Sequence, residues 1–191
     1  MPAILVVLAL WGFGEAIVLP VVPDVLLGIL VLASPWLMLP LLGARIAGGV
    51  AGAVVGWWLV VRRPASFHRV LASQPGLGEP GLADADARLR RLGVVRGFAQ
   101  VGPGLPLKAY LWALGSVDTQ ASVGRVAGLA LVNRLARILP VALGFAALHP
   151  LAAAAPSEPL VLGVLYVAGW SAFYVVYWWR RDPRRRSPAP S

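Results

Sequence analysis

Apolar residues fall into five blocks along the 191-residue chain. The first runs from Ala3 to Ala33 and is interrupted at Pro20-Val-Val-Pro23. The second, Trp36 to Val61, carries the glycine-rich run GARIAGGVAGAVVGWW. A polar segment, Arg62 to Arg96, separates it from the third block, Gly97 to Gly115, which is broken at Gly102-Pro-Gly-Leu-Pro106. The fourth spans Ala121 to Leu148 and includes Arg125, Arg134 and Arg137. The fifth runs from Pro159 to Trp179, ahead of a basic, proline-rich tail (180–191) of disordered-type composition.

Length sorts these blocks. A helix rises about 1.5 Å per residue, so about 20 residues cross the roughly 30 Å of bilayer hydrocarbon. Blocks two, four and five each suit one transmembrane helix, at 36–61, 121–148 and 159–179. As a single helix the first block would reach about 46 Å, too long without strong tilt. Its Pro-x-x-Pro break leaves a short arm, Asp24 to Ala33, of about 15 Å, or half a bilayer. The third block leaves a similar short arm from Pro106 to Gly115. Both blocks are therefore read as re-entrant hairpins, 3–33 and 97–115, with breaks at Pro20, Pro23, Pro103, Gly104 and Pro106. Proline suits the first turn of a short arm, where its missing N–H would be unpaired anyway. Backbone exposed at that depth must be buried in protein or line a wet cavity.

Composition strengthens this reading. The chain is 59% hydrophobic and only 13% charged, against about 25% charged residues in soluble domains. An integral membrane protein follows. The net charge of +9 could suggest nucleic acid, but the arginines cluster at 62–63, 88–96 and 180–186, at the ends of apolar blocks. That is the positive-inside pattern, and such clusters attract anionic headgroups. Membrane lipids, not nucleic acid, are the expected partners. Residues 1–36 contain no Lys or Arg, whereas a cleaved secretory leader needs a basic start.

Charge parity fixes an expected topology. With 62–96 cytoplasmic and the third block re-entrant, every basic cluster lies on the cytoplasmic side, and the N-terminus lies outside. If the third block crossed fully, the arginine-rich tail would end outside. The expected fold is an all-α integral membrane protein, a single membrane domain over 1–179. It has two inverted halves, each a re-entrant hairpin plus a transmembrane helix, followed by an additional C-terminal transmembrane helix. Inverted repeats with broken helices at matching positions are a transporter-type design.

Five residues are candidates for a proton or substrate site. Glu15 and Asp24 are carboxylates in an apolar block, where an ionisable side chain is costly and points to function. Asp24 equally suits helix capping, because a carboxylate favours the positive end of a helix. Lys108, the sole lysine, could meet either acid or a lipid phosphate, or snorkel toward the headgroups. Arg134 and Arg137 share a helix face at i and i+3. They could bind phosphate through bidentate guanidinium geometry or simply neutralise the acids. Arg45 and Arg125 lie nearer span ends and are expected to snorkel. Asp118 and Glu158 read as loop or capping residues, and His68 and His149 as loop residues without ligand spacing. Trp57, Trp58, Trp170, Trp178 and Trp179 read as structural, with interface anchors among them. Gly48, Gly52 and Gly56 read as a helix-packing stripe. There is no cysteine, no phosphate-cradling loop and no catalytic triad pattern. No metal, no cofactor and no enzymatic activity are expected.

FGEAIVLPVVPDVLLGILVLASP resembles the first motif of the DedA-like, or VTT, membrane proteins (SNARE-associated Golgi proteins), and is most similar to the bacterial YqaA-like branch. GARIAGGVAGAVVGWW is similar to the span that follows it in that family. VGPGLPLKAYLWALG resembles the second re-entrant motif, and Asn133 to Arg137 (NRLAR) resembles its paired basic residues. The resemblance covers roughly residues 11–145. Many members carry arginines where Gln100 and Pro106 stand here, with Lys108 the nearest substitute. The resemblance implies lipid translocation or scrambling in a bacterial inner membrane, with protons as a candidate coupling ion. From the residues themselves, a secondary transporter for an ion or small solute, or a non-transporting membrane scaffold, remain alternatives.

Overall fold

A computed structural model describes residues 1–19, 24–74, 77–100, 104–154, 161, 163–165, 167–172 and 175. The breaks expected at Pro20, Pro23 and Pro103 lie outside these residues, as do Glu158, Trp178, Trp179, about half of the fifth block and the tail.

Helix is the only regular structure among the described residues. α1 (Pro2–Ile17) starts with proline in its first turn, and α2 (Asp24–Ala33) starts with a carboxylate there. A 3-10 turn (Pro35–Leu37) leads into α3 (Met38–Arg62). The polar segment that follows is itself helical: α4 (Pro64–Ala72), α5 (Gly78–Leu92) and the five-residue α6 (Val94–Phe98). Gly93 joins α5 to α6 at φ +77°, a left-handed conformation that favours glycine. α7 (Leu107–Val117) and α8 (Val123–Ala153) follow. Ser122 caps α8 by accepting the Arg125 N–H at 3.2 Å.

α3 and α8 are long and apolar enough to cross a membrane. At 1.5 Å per residue they reach about 37 and 46 Å. α8 therefore exceeds the span expected at 121–148.

Two apolar cores stack along the bundle. One joins Leu8, Leu27, Val31, Leu41, Leu42, Ile46, Ile138 and Ala142. The other joins the far half of α3 to α4, α5, α7 and the start of α8, through Ala53, Trp57, Phe67, Leu71, Leu82, Leu89, Tyr110, Leu114 and Val126. The glycines of α3 set its spacing from α1. A Cβ on Gly48 would overlap the Ala9 carbonyl, and one on Gly52 would overlap the Phe13 carbonyl. The two backbones therefore meet without side chains between them.

Several expectations change. The helices ahead of the two expected breaks are unequal: α6 is about 7 Å long, against sixteen residues of α1. Segment 62–96 is not merely a polar connection. Its apolar positions fall on one face of α4 and of α5 and cover α7. His68 and His149 lie in helices, not loops, because α4 begins at Pro64 and α8 continues past Leu148. Of the tryptophans read as structural with interface anchors among them, Trp57 is buried in the second core and Trp58 is exposed.

Candidate functional site

The two cores are separated by one polar level, and three helices reach it together. On α1, Gly12 and Glu15 lie between Leu8 and Ala16. On α3, Arg45 and Gly49 lie between the Leu41–Leu42 end and Ala53. On α8, Asn133, Arg134 and Arg137 lie between Ala130 and Ile138. Asp24, at the start of α2, completes the level.

The charges form one alternating chain, Arg134–Glu15–Arg45–Asp24–Arg137. Glu15 Oε2 accepts from Arg45 Nη2 at 2.7 Å and forms an ion pair with Arg134 Nη1, also at 2.7 Å. Arg45 Nη2 lies 3.6 Å from Asp24 Oδ1, and Arg137 Nε lies 3.8 Å from Asp24 Oδ2. Arg45, Arg134 and Glu15 are exposed by only 0%, 1% and 4%, so these are interior ions that need partners. Glycine makes the room. A Cβ on Gly12 would come within 2.9 Å of Arg45 Nη1, and one on Gly49 within 2.7 Å of Arg134 Nε.

Of the five sequence candidates, Glu15, Asp24, Arg134 and Arg137 meet in this chain. Arg45 was expected to snorkel and instead sits at its centre. Two carboxylates and the space opposite Gly12 hold it there, at a residue seven positions into α3. Lys108 contacts neither acid. Its buried ammonium donates to the carbonyls of Val18 at 3.1 Å and Leu19 at 2.9 Å, just past the end of α1. An ammonium in the first turn of α7 opposes that helix's own dipole. The unpaired carbonyls at the end of α1 compensate. Lys108 thus ties α7 to the two residues that follow α1.

The chain of charges is incomplete in two ways. Three guanidiniums face two carboxylates, leaving one surplus positive charge. Arg45 Nε and Nη1, Arg134 Nε and Nη2, and Asp24 Oδ1 are buried without hydrogen-bond partners among the described residues. Buried polar groups are normally satisfied, so such donors call for an anion or ordered water. A phosphate would match both the surplus charge and the donor geometry. Among the described residues no three His, Asp or Glu side chains gather as metal ligands, and the surplus arginine disfavours a cation.

Neighbouring polar contacts hold the level in place. Asn133 Nδ2 donates to the Phe98 carbonyl at 2.8 Å, fixing α8 against the end of α6. Arg137 Nη1 reaches the Leu105 carbonyl at 3.5 Å. Farther out, Asp118 pairs with Arg125, while Asp86 accepts from Arg90 and from the Ser116 hydroxyl. Compared with known protein families, with curated proteins and with solved structures, the chain finds no match.

Proposed function

We propose that this chain is a lipid translocase or scramblase of the DedA-like, VTT type, acting on phospholipid or polyprenyl-phosphate headgroups. One observation carries the reading: a buried chain of alternating charges between two apolar cores, with one arginine in surplus and guanidinium donors left open. Such a chain offers a phosphate a polar path at a depth where ions are otherwise costly. Helices α3 and α8, each long and apolar enough to span a bilayer, frame it. The break between α1 and α2 places Glu15 and Asp24 on opposite sides of it, which suits a re-entrant hairpin whose carboxylates face a cavity. The motif resemblance adds the same reading. The proposed setting is the bacterial cytoplasmic membrane, with the N-terminus outside and the basic tail inside. Proton exchange at Glu15 or Asp24 is the proposed coupling.

A second reading is favoured by a specific observation. Glu15 is already paired with two arginines at 2.7 Å, as a non-transporting scaffold would require. Arg137 separates the two. It is the end of the chain, and its one carboxylate contact is long, at 3.8 Å. Arg137→Gln should leave folding near wild type and slow flipping of headgroup-labelled phospholipid in proteoliposomes by about tenfold or more. No flipping by folded wild type would favour the scaffold, and wild-type flipping that Arg137→Gln leaves unchanged would take Arg137 off the path.

A further inference from the structure

We propose that a cleft between α5 and the 104–105 backbone is a second binding site, for a phosphate mono- or diester. It holds about 480 Å³ and is lined by Arg88 and Arg91 of α5, Gln100, Gly104 and Tyr110, with Asp84 on the same helix. That volume lies within the roughly 300–1,000 Å³ of small-ligand sites. The cleft is distinct from the buried charge chain and shares one wall with it, the backbone at Leu105, whose carbonyl Arg137 approaches.

Three donors converge on the cleft. Arg88 and Arg91 share a face of α5 at i and i+3, and the opposite face is held by buried Leu82, Ala85 and Leu89. Arg88 Nε donates to the Gly97 carbonyl at 3.3 Å. Its two terminal nitrogens have no internal acceptor among the described residues. The third donor is Tyr110. The buried Gln100 carboxamide fits with its oxygen accepting the Gly104 N–H at 3.1 Å and the Leu105 N–H at 3.3 Å, and its nitrogen donating to the Tyr110 hydroxyl. The Tyr110 proton is then left without an acceptor among the described residues, on a fully buried side chain that stands in the wall of the cleft. A hydroxyl in that position calls for an acceptor, and a phosphate oxygen beside two guanidiniums supplies one. Asp84 lies one turn before Arg88 on the same face. It offers an acceptor to a hydroxyl or amine next to the phosphate. Under the proposed topology the cleft opens on the cytoplasmic side, but its existence does not depend on translocation.

The test is calorimetric binding to the full chain in phosphate-free maltoside micelles, with inorganic phosphate and dioctanoyl phosphatidic acid as probes. Arg88→Gln with Arg91→Gln should weaken binding by about tenfold or more, and Tyr110→Phe by about threefold. Asp84→Asn should tighten it by about twofold to fivefold, and Arg69→Gln, an exposed residue away from the cleft, should leave it unchanged. Binding of both probes identifies a site for free phosphate esters, and binding of phosphatidic acid alone identifies a lipid headgroup site. Absence of binding by folded wild type overturns the proposal. So does binding that the double variant leaves unchanged or that Arg69→Gln weakens equally. If the double variant loses its monodisperse elution peak, Tyr110→Phe and Asp84→Asn decide, and no change in either overturns the proposal. Flipping by wild type is measured separately, so failure here leaves the translocase reading standing.

Discussion

Replacing Glu15 by glutamine removes the charge from the centre of the buried chain while nearly keeping its shape. The native carboxylate oxygen lies 2.7 Å from each of two guanidinium nitrogens. With an effective dielectric constant of about 20, each contact represents about 6 kcal/mol of gross attraction. Much of it offsets the cost of taking three ions out of water. In the variant, Arg45 and Arg134 face each other with Asp24 as the remaining carboxylate, 3.6 Å from Arg45. Removing one partner of a buried pair costs about 3–5 kcal/mol. At about 2–4 °C per kcal/mol for a chain of this size, the melting temperature should fall by roughly 6–20 °C. Thermal unfolding in micelles, followed by fluorescence of the eight tryptophans, reads this directly. Adding Arg134→Gln should recover about half the loss or more, because the surplus charge leaves with its partner. A fall of less than about 3 °C in the single variant would refute the buried charge chain.

Other parts of the structure give their own expectations. Gly48→Ala should lower stability by about 2 kcal/mol or more, since its Cβ overlaps the Ala9 carbonyl. Gly43→Ala, with nothing within 4 Å, should be neutral or raise stability by up to about 1 kcal/mol through helix propensity, both read by melting temperature. Lys108→Met removes the donor to Val18 and Leu19 and should cost about 2–4 kcal/mol. Faster hydrogen exchange confined to the end of α1 would accompany it. Asp86 lies on α5, outside the two helices long and apolar enough to cross a membrane. Hydrogen bonds from Arg90 and then Ser116 hold its carboxyl below the usual aspartate range. Its folded pKa is depressed, so its contribution is present above about pH 3.9 and is lost as pH falls through the folded value. Asp86→Asn should therefore be less stable than wild type at pH 6, with the gap closing in acid unfolding series below about pH 3.9.

How much the sequence revealed depended on the kind of signal. Apolar length and the all-helical class were legible, as were α2 from Asp24 to Ala33 and the packing role of the α3 glycines, because each leaves a local pattern. Arg134 and Arg137 were legible as a same-face pair beside the two acids. Arg45 was not. Its position near the start of a span suggested snorkelling, and its true partners lie 30 and 21 residues earlier in the chain. The weak signal was Arg45 directly ahead of a glycine run, in a block otherwise free of charge until Arg62. The helices within 62–96 were hidden by their charge, although Leu82, Ala85 and Leu89 already mark one face of α5. Lys108 misled because a lone ammonium near two carboxylates suggests an ion pair. Backbone carbonyls at a helix end carry no sequence label.

The most direct test of the central claim is flipping of headgroup-labelled phospholipid by proteoliposomes, comparing wild type with the charge-paired double variant Glu15→Gln/Arg134→Gln. The double variant removes an acid and a base together, so its fold should survive while the polar path is cut. Translocation along the chain predicts rapid flipping by wild type and about tenfold or slower flipping by the double variant. Flipping by the double variant at the wild-type rate, or none by well-folded wild type with several headgroups, would contradict it.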